Sequence, residues 1–263
     1  LSDNTSPIDE ETIKSAVAGD EPEIREPEDP KFQLPRGIFA EGTWQRDVEV
    51  RELTGSDEER LAKYQNEVEL YNGILAMGTE SIGSLDFSKM SIAEKEGAVA
   101  ELLLGERDIL MLEVTKVTFG NERTIGWKCS FCDDENETDL VISEDFQAKV
   151  PDDVTGPFSF KDSKGQTIEF RGVTGKDILH LNQSLSGPAK NSAVLSKVIT
   201  RIDNDPPIDA DGFVHNMGMK DRRELLDAVN KVQPVLDLSV KVPCHACGKE
   251  NTLALTWVEL FLS

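Results

Sequence analysis

From residue 32 onward, apolar and polar positions alternate in short runs and then pass to helical spacing. Residues 34–39 and 44–53, separated by Ala40-Glu41-Gly42-Thr43, predict a β-hairpin in which Val48 and Val50 alternate against Asp47, Glu49 and Arg51. Ser56 with Glu59 reads as a capping box, so a helix is expected over 57–76; Ser91 with Glu94 opens another toward Leu104. Arg107, Leu110, Met111, Val114 and Val117 share one face of a third helix, which Gly120 ends. The second half runs in the same order. Phe158-Ser159-Phe160, a turn over 162–165 and the run 167–173 predict a hairpin. Helices are expected over 174–184, 192–203 and 220–232, the last stopped by Pro234, with Asp205-Pro206-Pro207 as a rigid loop. In each half the final helix feeds a strand that enters a pair of cysteines.

The common order reflects a repeat in the residues themselves. Val48-Glu49-Val50-Arg51-Glu52-Leu53-Thr54-Gly55-Ser56-Asp57 returns, 120 positions on, as Ile168-Glu169-Phe170-Arg171-Gly172-Val173-Thr174-Gly175-Lys176-Asp177. Arg107, Leu110, Met111, Val114, Lys116 and Val117 return 115 positions on as Arg222, Leu225, Leu226, Val229, Lys231 and Val232. At that same shift Cys129-x-x-Cys132 returns as Cys244-x-x-Cys247, each pair followed by Glu-Asn. A fixed period fixes architecture. The sequence therefore predicts an α+β fold built from an internally duplicated unit of β-hairpin, helices and zinc knuckle, over 32–150 and 151–263. An acidic flexible N-terminal arm, 1–31, precedes both. Residues 1–30 carry ten acids, two bases and four prolines. Too little apolar surface is available there to offset ordering entropy. Residues 8–18 allow one short helix. The arm reads as an adaptable contact for a partner, a solvated tail being the commoner behaviour of such termini.

All four cysteines fall in the two C-x-x-C pairs, none is left over, and no secretion signal precedes them, which favours metal over disulfides. Two residues between thiolates let both sulfurs face one ion, and four thiolates close the tetrahedral shell of a structural zinc site. Cys129, Cys132, Cys244 and Cys247 are thus expected to hold one Zn2+, their knuckles joined as a zinc-ribbon-like site. The 111 residues between Cys132 and Cys244 exceed an ordinary ribbon; one knuckle per repeat explains that gap. Gly248 follows the second pair where Asp133 follows the first. His245, inside the second knuckle, is expected to face solvent, because four thiolates already suffice. A redox pair is the weaker reading, since neither C-x-x-C opens a helix in a βαβ context. A fully thiolate-ligated zinc has no open position for water, so catalysis by this metal is not expected.

No other catalytic constellation emerges, and the chain is read as no enzyme. Phosphate-cradling, dinucleotide, metalloprotease and nucleophile-elbow motifs are absent. His180 and His215 are isolated. Asp133-Asp134-Glu135 and Asp203-x-Asp205 lack the spacing and turn glycine of a calcium loop, so solvated loops are expected. Thr54 and Thr174 read as capping hydroxyls at strand-to-helix corners. Trp44, Trp127 and Trp257 are expected on or beside strands, packing. The formal charge of −22 repels phosphates, which argues against nucleic acid and against membrane attachment. No run of 18 apolar residues occurs. The N-terminus lacks the zones of a signal peptide and a Met, so the chain is expected to start after a trimmed or omitted segment.

Leu34-Pro35-Arg36-Gly37, the corner from Arg51 to Glu59, the Gly-x-Arg-Asp helix start over 105–108 and the C-x-x-C knuckles together resemble the tailed-phage baseplate-hub assembly family typified by the T-even baseplate proteins. The likeness covers 32–263 and leaves the arm outside. It implies a non-enzymatic structural or assembly component of a tail baseplate, binding other tail proteins, in the virion or in the host cytoplasm during assembly. Self-association stays open. The alternative is a zinc-ribbon adaptor that binds protein in a transcription or replication complex.

Overall fold

A computed structural model describes residues 29–179, 181 and 184–262. The arm before Asp29, with its short helix, and His180 lie outside the described residues.

The chain begins with the antiparallel pair Lys31–Ala40 and Thr43–Val50. Glu41 and Gly42 form a two-residue loop with both φ positive, at 53° and 80°. That geometry twists with the strands it joins. The first strand bulges between Gln33 and Ile38. Gly37 sits in this bulge at φ 76°, and a Cβ there would meet the Gln45 carbonyl oxygen at 1.9 Å, so glycine is required.

The single helix expected over 57–76 is instead two, Gly55–Leu61 and Glu67–Gly78. Asn66 accepts a hydrogen bond from the Glu69 amide at 2.9 Å and starts the second. The break folds Tyr64 back on Gly73, where an added Cβ would lie 2.6 Å from the ring. Nor do Ser56 and Glu59 cap the first helix. Thr54 and Asp57 do: Asp57 Oδ2 accepts from the Thr54 amide at 2.9 Å and from its hydroxyl at 2.8 Å. After the second helix the chain adds a strand, Thr79–Ile82, which extends the hairpin into a four-stranded sheet with Leu85–Asp86. Ser91 and Glu94 cap the helix Ile92–Ala100, and Leu104–Phe119 ends at Gly120, both as expected.

In the second half Phe158–Lys161 pairs with Thr167–Phe170. The helix expected over 174–184 is described as Gly175–Leu179. The one expected over 192–203 runs over Gly187–Val198, with Pro188 in its first turn, where the missing N–H costs nothing. Residues Ile199–Ile202 then become a third strand, because the β-branched run Val198-Ile199-Thr200 favours extension. Helices Ala210–Asn216 and Met219–Lys231 follow; the first had no signal in the apolar spacing.

Val48 pairs with Ile82 and Val50 with Thr79 in the first sheet; Ile168 pairs with Ile202 and Phe170 with Ile199 in the second. The Arg51 amide donates to the Gly78 carbonyl at 2.8 Å, and the Arg171 amide to Val198 at 3.0 Å. Every residue of the second set lies 120 positions after its counterpart.

Among the described residues, three apolar clusters fill the interior. The first gathers Leu34, Leu75, Ile82, Phe87 and Leu110; the second gathers Ile168, Phe170, Leu195 and Leu225. The third, with Ile125, Leu140, Val240, Val242 and Leu260, lies between the two cysteine-bearing hairpins. Leu104 and Gly175 amides donate to the Val173 and Leu102 carbonyls at 3.1 Å, tying the start of the helix Leu104–Phe119 to the corner before Gly175–Leu179. The strand Glu250–Ala254 is followed by a helix, Trp257–Leu262. Thr256 and Glu259 form its capping box, Glu259 Oε2 accepting from the Thr256 amide at 2.7 Å. Phe261 carries that helix back onto the first cluster.

Candidate metal centre

Each cysteine pair sits at the tip of a hairpin: Glu122–Lys128 with Glu135–Val141, and Ser239–Pro243 with Glu250–Ala254. The turn is built the same way twice. The Cys129 amide donates to the Asp134 carbonyl at 2.9 Å, and the Asp133 amide returns to Cys129 at 3.0 Å. In the second tip the Cys244 amide donates to Lys249 at 3.0 Å, and the Gly248 amide returns to Cys244 at 2.9 Å. Asp133 and Gly248 both take positive φ, 60° and 70°. Aspartate tolerates that region better than most residues, which is why it serves where the second tip has glycine.

The hairpins face each other, and all four sulfurs lie within 4.8 Å of one another. Cys129 Sγ is 3.8 Å from Cys247 Sγ, and Cys132 Sγ is 3.6 Å from Cys244 Sγ. A tetrahedron with zinc–sulfur bonds of about 2.3 Å has edges of about 3.8 Å, so the donor set fits zinc in number, chemistry and spacing. Cys129 and Cys244 are buried, Cys132 and Cys247 exposed. Burial raises the Cys129 thiol, but the Phe131 and Cys132 amides and the Asn251 side chain draw it down to about 6. The Asp134 amide draws Cys132 down, yet desolvation and the sulfurs of Cys247, Cys129 and Cys244 push it up to about 12. Thiols this crowded resist joint ionisation, a conflict that a divalent cation between them relieves.

Two asparagines complete the arrangement. Asn136 Nδ2 lies 3.6 Å from Cys244 Sγ on the opposite tip, and its Oδ1 accepts from the His245 amide at 2.9 Å. Asn251 does the reverse: Nδ2 lies 3.5 Å from Cys129 Sγ, and Oδ1 accepts from the Ser130 amide at 3.0 Å. Both are buried. The sequence carried their signal as the repeated Glu-Asn after each pair, but a hairpin register was needed to aim them across the site.

His245 is exposed, as expected, and offers its amide to Asn136 rather than its ring to the sulfurs. His215 is exposed on the helix Ala210–Asn216. Among the described residues, the four cysteines are the one gathering of His, Cys, Asp or Glu with metal-ligand geometry, and it includes neither acidic loop. Thr54 and Thr174 hydroxyls donate to Asp57 Oδ2 and Asp177 Oδ2 at 2.8 and 3.0 Å, so at both corners the aspartate is the acceptor in place of the expected hydroxyl. Trp44 and Trp127 lie on strands; Trp257 opens a helix, where Glu259 holds the Thr256 cap.

Glu106 lay hidden in the Gly-x-Arg-Asp motif. Fully buried, it accepts from the Arg36 amide, the Gly37 amide at 2.7 Å and the Leu103 amide at 3.1 Å. It thereby joins the Leu34-Pro35-Arg36-Gly37 bulge to the start of the helix Leu104–Phe119. Beside it, Arg107 donates to Asn72 and the Val99 carbonyl, both at 3.1 Å.

The fold and site define an α+β protein with small antiparallel sheets and a four-thiol site between two hairpin tips, in which no helix of the described residues is long and apolar enough to cross a membrane. Residues 43–263 match the T4 bacteriophage base plate protein family, and the chain belongs to it. That family implies a structural role in a phage baseplate. No curated protein and no solved structure matches the chain.

Proposed function

We propose that this chain is a zinc-clamped, non-enzymatic scaffold of a phage tail baseplate, acting in the virion or during its assembly by binding other tail proteins. Its two bodies, 32–150 and 151–263, are copies of one unit, each giving one knuckle to a single Zn2+ held by Cys129, Cys132, Cys244 and Cys247. The observation that carries the metal is the four-sulfur cluster with edges near those of a zinc tetrahedron. Membership of the base plate family carries the setting.

Support for duplication comes from matched contacts. Arg51 clasps Asp57 through two hydrogen bonds of 2.9 and 3.0 Å; Arg171 clasps Asp177 at 2.6 and 2.8 Å. Arg107 donates to Asn72, and Arg222 donates to Ser192 Oγ at 2.9 Å. The acidic arm of 1–31 is an additional contact for a basic groove on a partner.

Native mass spectrometry of the full chain tests the metal: one zinc per chain is expected, and none or two overturns the site. Mass spectrometry of purified baseplates and their assembly intermediates tests the setting. Recovery in a transcription complex, with absence from every tail intermediate, overturns it.

A further inference from the structure

An open groove of about 1100 Å3 lies where the first body, the helix Gly175–Leu179 and the C-terminal segment meet. Leu53, Leu61, Tyr64, Tyr71, Ile178 and Trp257 supply much of its wall. Its volume slightly exceeds the roughly 300–1,000 Å3 usual for small-molecule clefts. Space of that size with apolar walls suits several side chains of a polypeptide.

The charged residues of the lining decide which polypeptide. Glu58, Glu67 and Arg107 are the charged members. Arg107 is 4% exposed and spends its guanidinium on Asn72, on the Val99 carbonyl and on the Tyr71 ring, 5.3 Å away. Glu58 and Glu67 are exposed. The mouth is therefore negative, on a chain whose net charge is −22. Such a mouth repels the chain's own N-terminal segment, with ten acids, and equally a second copy. We infer that the groove receives a segment of another tail protein, apolar on one face and flanked by Lys or Arg, whose cations meet Glu58 and Glu67. The inference rests on the proposed baseplate role and names the chemistry of one partner within it.

Val68 lines the groove and is 38% exposed, so it accepts a probe without disturbing the core. The full chain carrying photoreactive p-benzoylphenylalanine in place of Val68 would be assembled with the other tail proteins, irradiated and digested. The expected cross-link is to one apolar segment with flanking Lys or Arg from a different tail protein. Combining the probe with Glu58→Gln and Glu67→Gln should lower that cross-link about threefold to tenfold, the effect of two exposed ion pairs, with the chain still folded by circular dichroism. Cross-links to residues 1–28, to a second copy or to nothing overturn the inference while the chain's presence in the assemblies upholds the baseplate role. Absence from the assemblies overturns both.

Discussion

Asn136 Nδ2 stands 3.6 Å from Cys244 Sγ, a contact across 108 positions of sequence, and Asn251 makes the reciprocal approach to Cys129 at 3.5 Å. Each amide group holds a sulfur of one hairpin while its oxygen holds the backbone of that same opposing tip, so the asparagines brace the two knuckles alongside the sulfurs. Partners of metal ligands commonly account for about tenfold to hundredfold in affinity. Asn136→Ala and Asn251→Ala should each weaken zinc binding by about tenfold, measured by competition against a chromogenic chelator. The double variant should lose more than either single one, because each asparagine supports a different tip. Unchanged affinity in both single variants would mean that the thiols alone fix the site.

The Arg51–Asp57 and Arg171–Asp177 clasps make acid stability a readout of the two corners. Hydrogen bonds from Arg51 hold the Asp57 carboxyl well below the usual aspartate range. Burial raises Asp177, but Arg171 and the Thr174 amide outweigh it and leave that carboxyl lowered as well. A depressed carboxyl contributes stability above its unfolded value, about 4, and loses it as pH falls through the folded value. Thermal midpoints should therefore fall as pH drops below about 4. Asp57→Asn and Asp177→Asn should each cost about 1.5–3 kcal/mol at pH 7, the loss of a charged hydrogen-bonded pair, and should flatten that acid limb. Calorimetry between pH 7 and pH 3 gives both quantities.

Gly105 and Gly97 should respond oppositely to the same change. A Cβ on Gly105 would meet the Pro234 carbonyl oxygen at 1.8 Å, at the close approach of the helix Leu104–Phe119 to the chain after Met219–Lys231. Gly105→Ala must push that backbone away, at a cost of about 1–3 kcal/mol. A Cβ on Gly97, exposed within the helix Ile92–Ala100, meets nothing within 4 Å. Gly97→Ala should stabilise by about 0.5–1 kcal/mol through helix propensity. Denaturant titration of the two variants checks the contrast.

What the sequence made legible was local or periodic. Both hairpins, the Ser91–Glu94 cap, the helix ended by Gly120 and the four cysteines were readable, because turn chemistry, capping and repeated spacing are written in neighbouring residues. The strands Thr79–Ile82 and Ile199–Ile202 were not. Each continues directly from a helix, and its extended state depends on an open sheet edge offered by residues some 30 positions earlier. The break at Asn66 was missed for a related reason: the pocket for Tyr64 exists only once Gly73 has been folded beneath it. Ser56 and Glu59 carry the common Ser-x-x-Glu pattern of a capping box, but the box closes on Thr54 and Asp57, whose carboxylate is held by Arg51. Asn136, Asn251 and Glu106 act across the fold: the repeated Glu-Asn marks the two asparagines, but only the hairpin register aims them at the opposite tip, and the contacts of Glu106 exist only once the Arg36-Gly37 bulge is folded over it.

Metal removal should separate the third apolar cluster from the other two. Residues Ile125, Leu140, Val240 and Val242 come from two short hairpins that pair within themselves and not with each other. Each hairpin alone is marginal in water, so the four-sulfur site is what holds the pair in register. Zinc in that site closes a chain loop of more than a hundred residues, and its binding energy adds to folding energy. Chelation should therefore lower the main unfolding transition, and a loss of about 3 kcal/mol corresponds to roughly 6–12 °C in a chain of this size. It should also expose Trp127, seen as a red shift in fluorescence before the main transition, while the first two clusters stay folded. The ligands should differ in kind. Cys129→Ser and Cys244→Ser remove buried sulfurs that the asparagines support, and should abolish binding at micromolar zinc. Cys132→Ser and Cys247→Ser remove exposed sulfurs and should leave a weaker site with water completing the shell. Equal loss in all four variants would show that the buried pair has no privileged part, and a melting curve indifferent to chelation would remove zinc from the stability of the fold.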